Sequence, residues 1–135
     1  MRQWIYQTCT EFGWYQTSNQ EGHPYGSGFP LEFMEEWCTD AFGPEFGHNM
    51  LVKAVLETNI GYGGKSPDVD NVVFVHGSVD PWHPMGVLED LSEVAISIYI
   101  NGSSHCADMY DDKPDDSNEL LQAKERIGRL VSKWI

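Results

Sequence analysis

An α/β fold built on parallel strands follows from three features of the chain. Val72-Val73-Phe74-Val75 is a short apolar run between turn formers, which reads as a strand buried on both faces, as in a parallel sheet. A second run of strand composition follows, Ala95-Ile96-Ser97-Ile98-Tyr99-Ile100, with Met85 to Ser92 between them, long enough for a short crossover helix. A right-handed strand–helix–strand unit makes the two strands parallel. The third feature is an amphipathic helix over 118–134, whose stripe of Leu120, Leu121, Lys124, Ile127, Leu130, Val131 and Trp134 would pack on that sheet.

The remaining elements follow in chain order. Arg2 to Thr8 alternates bulky and polar residues, which predicts a strand. Glu11 then stands among Phe12, Trp14 and Tyr15. Its carboxylate either faces a cleft and binds a substrate amine, or is held by nearby backbone. Residues 16–30 carry Asn, Ser, Gly and Pro without an apolar period and predict a loop. Pro30 can open a helix. Leu31, Met34, Cys38, Ala41 and Phe42 recur at helical spacing, and Gly43-Pro44 ends the run. A second helix is expected over 47–58, with Met50, Leu51, Ala54 and Val55 inward. Gly61, Gly63 and Gly64 invite a phosphate-cradle reading, but no G-x-x-x-x-G-K-[ST] pattern is present and the stretch precedes a strand, not a helix. Nucleotide binding is rejected, and tight packing near the site is the better use of these glycines. The acidic run Asp108 to Asp116 reads as a solvated loop, and Asp116-Ser117 offers an N-cap to the last helix.

Composition narrows the function. In 135 residues, 41% hydrophobic and 13% aromatic content supports a packed globular protein of one domain at most. A net charge of −13 disfavours nucleic acid and anionic membrane as partners. No apolar run approaches the roughly 20 residues that span a bilayer. Met1-Arg2-Gln3-Trp4 is not followed by the apolar stretch of a signal peptide.

The chemistry gathers where the two strands end. Gly77-Ser78 closes the first, and the Asp80-Pro81 pair forces an extended or turn conformation at Asp80. The second ends in Asn101-Gly102-Ser103-Ser104-His105-Cys106. Open α/β sheets place their reacting groups beyond the C-terminal ends of strands. Parallel strands therefore bring Asp80 and His105 to one edge, within hydrogen-bond reach. An acid followed by a histidine there is the orienting half of a Ser…Asp…His triad, in the chain order of α/β-hydrolases. No serine completes G-x-S-x-G, although Ser27, Ser66 and Ser104 have glycine nearby. Trp82 either walls the cleft, where it would stack on a substrate ring, or is a core residue. His76, Asp80, His83 and His105 have metal-ligand chemistry, but His76 lies at a strand end with its neighbours turned away, so no metal and no cofactor is expected.

These residues carry a family resemblance. Val75-His76-Gly77-Ser78-Val79-Asp80-Pro81-Trp82-His83 and Gly102-Ser103-Ser104-His105-Cys106-Ala107-Asp108-Met109 resemble the aspartate and histidine segments of a serine exopeptidase family. Its members are prolylcarboxypeptidase, dipeptidyl peptidase II and thymus-specific serine protease, and the last branch looks most similar. Trp4-Ile5-Tyr6-Gln7-Thr8-Cys9-Thr10-Glu11-Phe12-Gly13 and Tyr62-Gly63-Gly64 are similar to further family segments. The resemblance spans essentially the whole chain and only the family's C-terminal third, without its nucleophile segment.

What it implies is the C-terminal part of an α/β-hydrolase fold, preceded by a segment joining from the helical cap region. Residues 1–60 would be a strand plus a helical segment bordering the cap. Residues 61–135 would be the C-terminal part of the hydrolase domain, the whole forming one incomplete domain. The resemblance implies Asp80 and His105 as catalytic residues, with the remainder of the hydrolase domain as partner. Its substrates are peptides cleaved near a terminus, often after proline in the best-known members. In the family, the cysteine at the Cys9 position pairs with a downstream one whose spacing Cys38 fits, which leaves Cys106 free or paired outside the chain. The parent protein would be secreted, lysosomal or endosomal. The chain itself reads as a fragment or truncated gene product, inactive alone for want of a nucleophile and oxyanion donors. A catalytically inactive paralogue that binds partners is the alternative. The sequon Asn101-Gly102-Ser103 lies so near His105 that a glycan would crowd the cleft, so its use is not expected.

Overall fold

A computed structural model describes residues 1–22, 24 and 26–135. They form two compact units, Met1–Gly64 and Lys65–Ile135.

The described residues of the first unit are helical and irregular. Helix α1 (Arg2–Gln7) runs directly into one π-helical turn, Thr8–Phe12, which corrects the strand expected over 2–8. Seven residues of alternating bulk do not separate a period of 2 from one of 3.6. The helix lets this segment pair its own backbone. The Thr8 hydroxyl donates to the Ile5 carbonyl at 2.7 Å and Thr10 to the Tyr6 carbonyl at 2.9 Å. Tyr6 packs edge-on against Phe42, with ring centroids 5.2 Å apart.

Helix α2 (Leu31–Phe42) begins after Pro30 and ends at Gly43, whose φ of 122° few other residues adopt. Ala41, expected inward, is exposed. Helix α3 (His48–Tyr62) continues past the expected stop at 58 and ends in left-handed Gly63. The glycine-rich stretch is therefore a helix terminus. A disulfide joins Cys9 to Cys38 and ties the π-turn to α2; both sulfurs are buried, with Leu51 and Ala54 of α3 the other buried apolar residues here. On the outer side of α3, Val52, Leu56 and Ile60 make an exposed apolar stripe at i, i+4 and i+8.

The second unit is built on the expected strand pair. Strands β1 (Val72–Gly77) and β2 (Ala95–Ile100) are parallel, in register from Val72 opposite Ala95 to Gly77 opposite Ile100. Alternation sends Val73, Val75, Ile96, Ile98 and Ile100 to one face. Helix α4 (Asn118–Val131) covers that face with Leu120, Ala123, Ile127 and Leu130. Full burial of side chains such as Ile98 and Ile100 stabilises by about 1.5–3 kcal/mol each. The Ser117 hydroxyl accepts from the Leu120 amide and caps the helix. The helix stops at Val131, short of the expected Trp134.

The crossover is not helical. Only a 3-10 turn, His83–Met85, interrupts a loop; an extended Gly86 (φ −85°, ψ 179°) ends that turn, and the residues after it are tied to the sheet through Val87 and Asp90. This loop covers the second face of the sheet. The Val87 carbonyl accepts from His76 Nε2 at 2.8 Å and from the Ser97 hydroxyl at 2.9 Å, and Asp90 accepts from the Ser97 amide at 2.7 Å. With one neighbouring strand and a loop on that face, Val72 to His76 are half-buried, not buried on both faces as expected. No helix among the described residues is long and apolar enough to cross a membrane.

Candidate active site

Backbone bonds bring the two strand-end loops together before any side chain acts. Beyond the regular ladder, the Ser78 amide donates to the Ile100 carbonyl at 3.0 Å, and the Val79 amide to the Ser103 carbonyl at 3.1 Å. The Ser78 hydroxyl accepts from the Gly102 amide at 2.7 Å. The 101–106 loop thus lies across the end of β1. Gly77 permits it: a β-carbon there would stand 2.3 Å from the Ser103 carbonyl oxygen and 2.6 Å from that of Ser104.

On this platform Asp80 turns back, its amide donating to the Gly77 carbonyl at 3.0 Å. Its carboxylate is buried and both oxygens are engaged. Oδ1 accepts from the Trp82 amide at 2.8 Å, and Oδ2 lies 2.7 Å from Nδ1 of His105. A carboxylate only accepts, so the proton of that contact is on Nδ1, and in the neutral ring the lone pair is on Nε2. Burial pushes the Asp80 carboxyl up. The hydrogen bonds from His105 and the Trp82 amide, with the charges of His105 and His83, outweigh burial and hold it below its ordinary value. The Trp82 ring meets the His105 ring nearly edge-on, centroids 5.0 Å apart.

The next residue, Cys106, has φ 54° and ψ 22°, an uncommon left-handed conformation for a side-chain-bearing residue. It is a free thiol, pushed up by burial and by the Asp108 and Asp80 charges, and so disfavoured as a thiolate. A cavity of about 360 Å³ opens beside His105, lined by Ser103, Tyr110, Asp111, Lys113 and Leu120 among others.

Glu11 sits in the first unit, in the π-turn. It lines a groove of about 500 Å³ with Phe12, Trp14, Asn59 and Tyr62. The Phe12 and Trp14 rings stack at 5.0 Å. Of the four histidine and aspartate residues weighed as metal ligands, His76 bonds the Val87 carbonyl and His83 bonds the Asp80 main-chain carbonyl. Among the described residues no three His, Cys, Asp or Glu side chains are placed to share an ion. Gly77 and Ser78 escaped sequence reasoning. Their signal was only a small pair at a strand end, which marks a turn without saying that another loop crosses it.

Known proteins resemble the chain over nearly its whole length. The family model described as Serine carboxypeptidase S28 matches residues 1–127. The chain is 39% identical over 134 residues to the thymus-specific serine protease of Mus musculus, covering 99% of this chain and 26% of that protein. It is 36% identical over 134 residues to the human thymus-specific serine protease, again covering 99% of this chain and 26% of the relative. Similarity to the human lysosomal Pro-X carboxypeptidase is 25% over 134 residues, covering 98% and 26%. No solved structure matches. The chain spans about a quarter of the length of these relatives. A match running from Met1 through most of α4, with both strand-end loops inside it, places the chain in the serine carboxypeptidase S28 family of serine peptidases.

Proposed function

We propose that residues 1–135 supply the acid–base half of a serine-type exopeptidase of α/β-hydrolase fold. Asp80 is the orienting acid, His105 the general base, and the nucleophilic serine comes from polypeptide outside these residues. The observation that carries this reading is the 2.7 Å contact between His105 Nδ1 and Asp80 Oδ2. It fixes the tautomer in which Nε2 can take a serine hydroxyl proton as the hydroxyl oxygen attacks a peptide carbonyl. Asp80 then stabilises the imidazolium until Nε2 returns the proton to the leaving amine. Among the described residues no serine hydroxyl bonds His105, and none lies in a G-x-S-x-G pattern.

Peptides cleaved near a terminus are the proposed substrates. The name of the lysosomal Pro-X carboxypeptidase makes proline at the scissile bond the specificity to test first. The edge-on contact with His105 supports Trp82 as a cleft wall. Glu11, with aromatic faces beside it, suits a substrate ammonium group. The remainder of the hydrolase domain is the proposed partner. The exposed stripe of Val52, Leu56 and Ile60 and the open edges of a two-stranded sheet are surfaces that such a partner would cover. An extracellular, lysosomal or endosomal parent fits the Cys9–Cys38 disulfide.

The test is turnover of terminally cleaved peptides by a polypeptide that joins these residues to their nucleophile segment. Asp80→Asn should lower kcat about 10⁴-fold with the fold intact, because His105 loses control of its tautomer. A variant that turns over within about tenfold of the wild type, with the circular dichroism unchanged, would overturn the assignment.

A further inference from the structure

We infer that His83 is a positioning residue, a clamp that holds the main chain of Asp80 so that its carboxylate meets His105. The inference rests on the reading of Asp80 and His105 as the acid–base pair and adds to it the residue that sets their geometry. The Asp80 turn is short of donors. Pro81 has no N–H, and the Trp82 amide is taken by Asp80 Oδ1. His83 supplies what remains. Its amide donates to the Asp80 carbonyl at 3.1 Å, and its ring Nδ1 lies 2.7 Å from the same oxygen. A carbonyl only accepts, so Nδ1 of His83 carries the proton.

The other side of the ring is braced. His83 meets Tyr99 of β2 nearly edge-on, centroids 5.5 Å apart. Tyr99 stands just before the loop that carries His105, so the clamp links the acid's turn to the base's strand. Asp80 is therefore held at three points: its amide by Gly77, its carbonyl by His83 and its carboxylate by Trp82 and His105. Without the His83 ring the carbonyl keeps one donor, and the peptide plane that aims the carboxylate can rotate.

The experiment reads the tautomer of His105 by long-range ¹H–¹⁵N correlation in the 135-residue chain, at a pH where the ring is neutral. The wild type should show the Nδ1–H form. His83→Ala should shift His105 to a mixture with the Nε2–H form. His83→Asn, whose amide N–H reaches close to the place of Nδ1, should restore it, while His83→Gln, one carbon longer, should not. In the complete peptidase His83→Ala should lower kcat about threefold to tenfold, the worth of one hydrogen bond, with KM within about twofold. A His105 tautomer unchanged in His83→Ala, or mixed already in the wild type, overturns the clamp. Where His83→Ala does not fold, equal tautomer ratios in the Asn and Gln variants overturn it. The two readings fail separately: a peptidase indifferent to Asp80→Asn sinks the catalytic assignment, whereas a tautomer indifferent to His83 sinks only the clamp.

Discussion

Substituting Gly77 by alanine puts one methyl group where two loops cross. The added β-carbon would lie 2.3 Å from the Ser103 carbonyl oxygen and 2.6 Å from that of Ser104, so the 101–106 loop must withdraw by about 1 Å to reach ordinary contact. Both obstacles are backbone, and neither can rotate aside. Withdrawal stretches the 3.1 Å bond from the Val79 amide to the Ser103 carbonyl and carries His105 away from Asp80. Overpacking of this kind costs about 1–3 kcal/mol. A misplacement of about 1 Å at a reacting group can cost about 10²-fold in rate. Urea titration of the chain should show the lost stability as a lower midpoint at unchanged slope, and kinetics of the complete peptidase the lost rate. Gly128→Ala is the control: Gly128 lies inside α4 with open space where its β-carbon would go, so that variant should gain about 0.5–1 kcal/mol and leave the rate alone. A Gly77→Ala chain as stable and as active as the wild type would refute the loop-crossing argument.

Acid should expose the contribution of Asp80. Its carboxyl is held below the ordinary value, so the folded form binds its proton at lower pH than the unfolded form. The stability it contributes is therefore present above about pH 4 and lost as pH falls through the folded value. The difference in melting temperature between wild type and Asp80→Asn should shrink below about pH 4, and parallel pH profiles would contradict this. Reduction of the Cys9–Cys38 disulfide should cost about 3 kcal/mol. Alkylation of the unfolded chain without reductant should label Cys106 alone; label on Cys9 and Cys38 would disprove the pairing.

What could be read in advance was whatever depended on a repeated local pattern. Strand β2 begins and ends where the run Ala95 to Ile100 does. Helix α4 has the cap at Ser117 and puts Leu120, Ile127 and Leu130 of its expected stripe on the core, while Val131 is exposed and Trp134 lies beyond the helix. The parallel pairing, expected from a strand–helix–strand unit, holds although that helix is absent, and with it the meeting of Asp80 and His105 at one edge. The failures came where tertiary partners outweighed pattern. Residues 2–8 alternate like a strand, yet that unit offers no described strand to pair with, and Tyr6 finds Phe42 and Phe46 from a helix. The crossover had a helix's length, but Val87 and Asp90 bond His76 and Ser97 of the sheet instead of helical neighbours. His83, weighed in the sequence only as a metal ligand, bonds a carbonyl three residues back, a local closure that ligand chemistry does not reveal.

The absent crossover helix changes how the site is held. In a strand–helix–strand unit the returning helix packs rigidly on the sheet, and the loops above inherit its precision. Here side chains take over that work: His76 and Ser97 both bind the Val87 carbonyl, and Gly86 fits against the His76 ring so closely that a β-carbon would stand 2.0 Å from it. His76 and Ser97 point to the same face of the sheet from adjacent strands, so two donors on one acceptor fix the loop against both strands at once. Such bonds contribute about 1 kcal/mol each, but a buried carbonyl left without them would cost more, so the loop has a strong preference for one position. The same reasoning applies to Asp80. A buried carboxylate is tolerated only when its oxygens are satisfied, and one of its two partners is the ring of His105. The contact that suits this pair to proton transfer is thus also one that the fold needs in order to bury its acid.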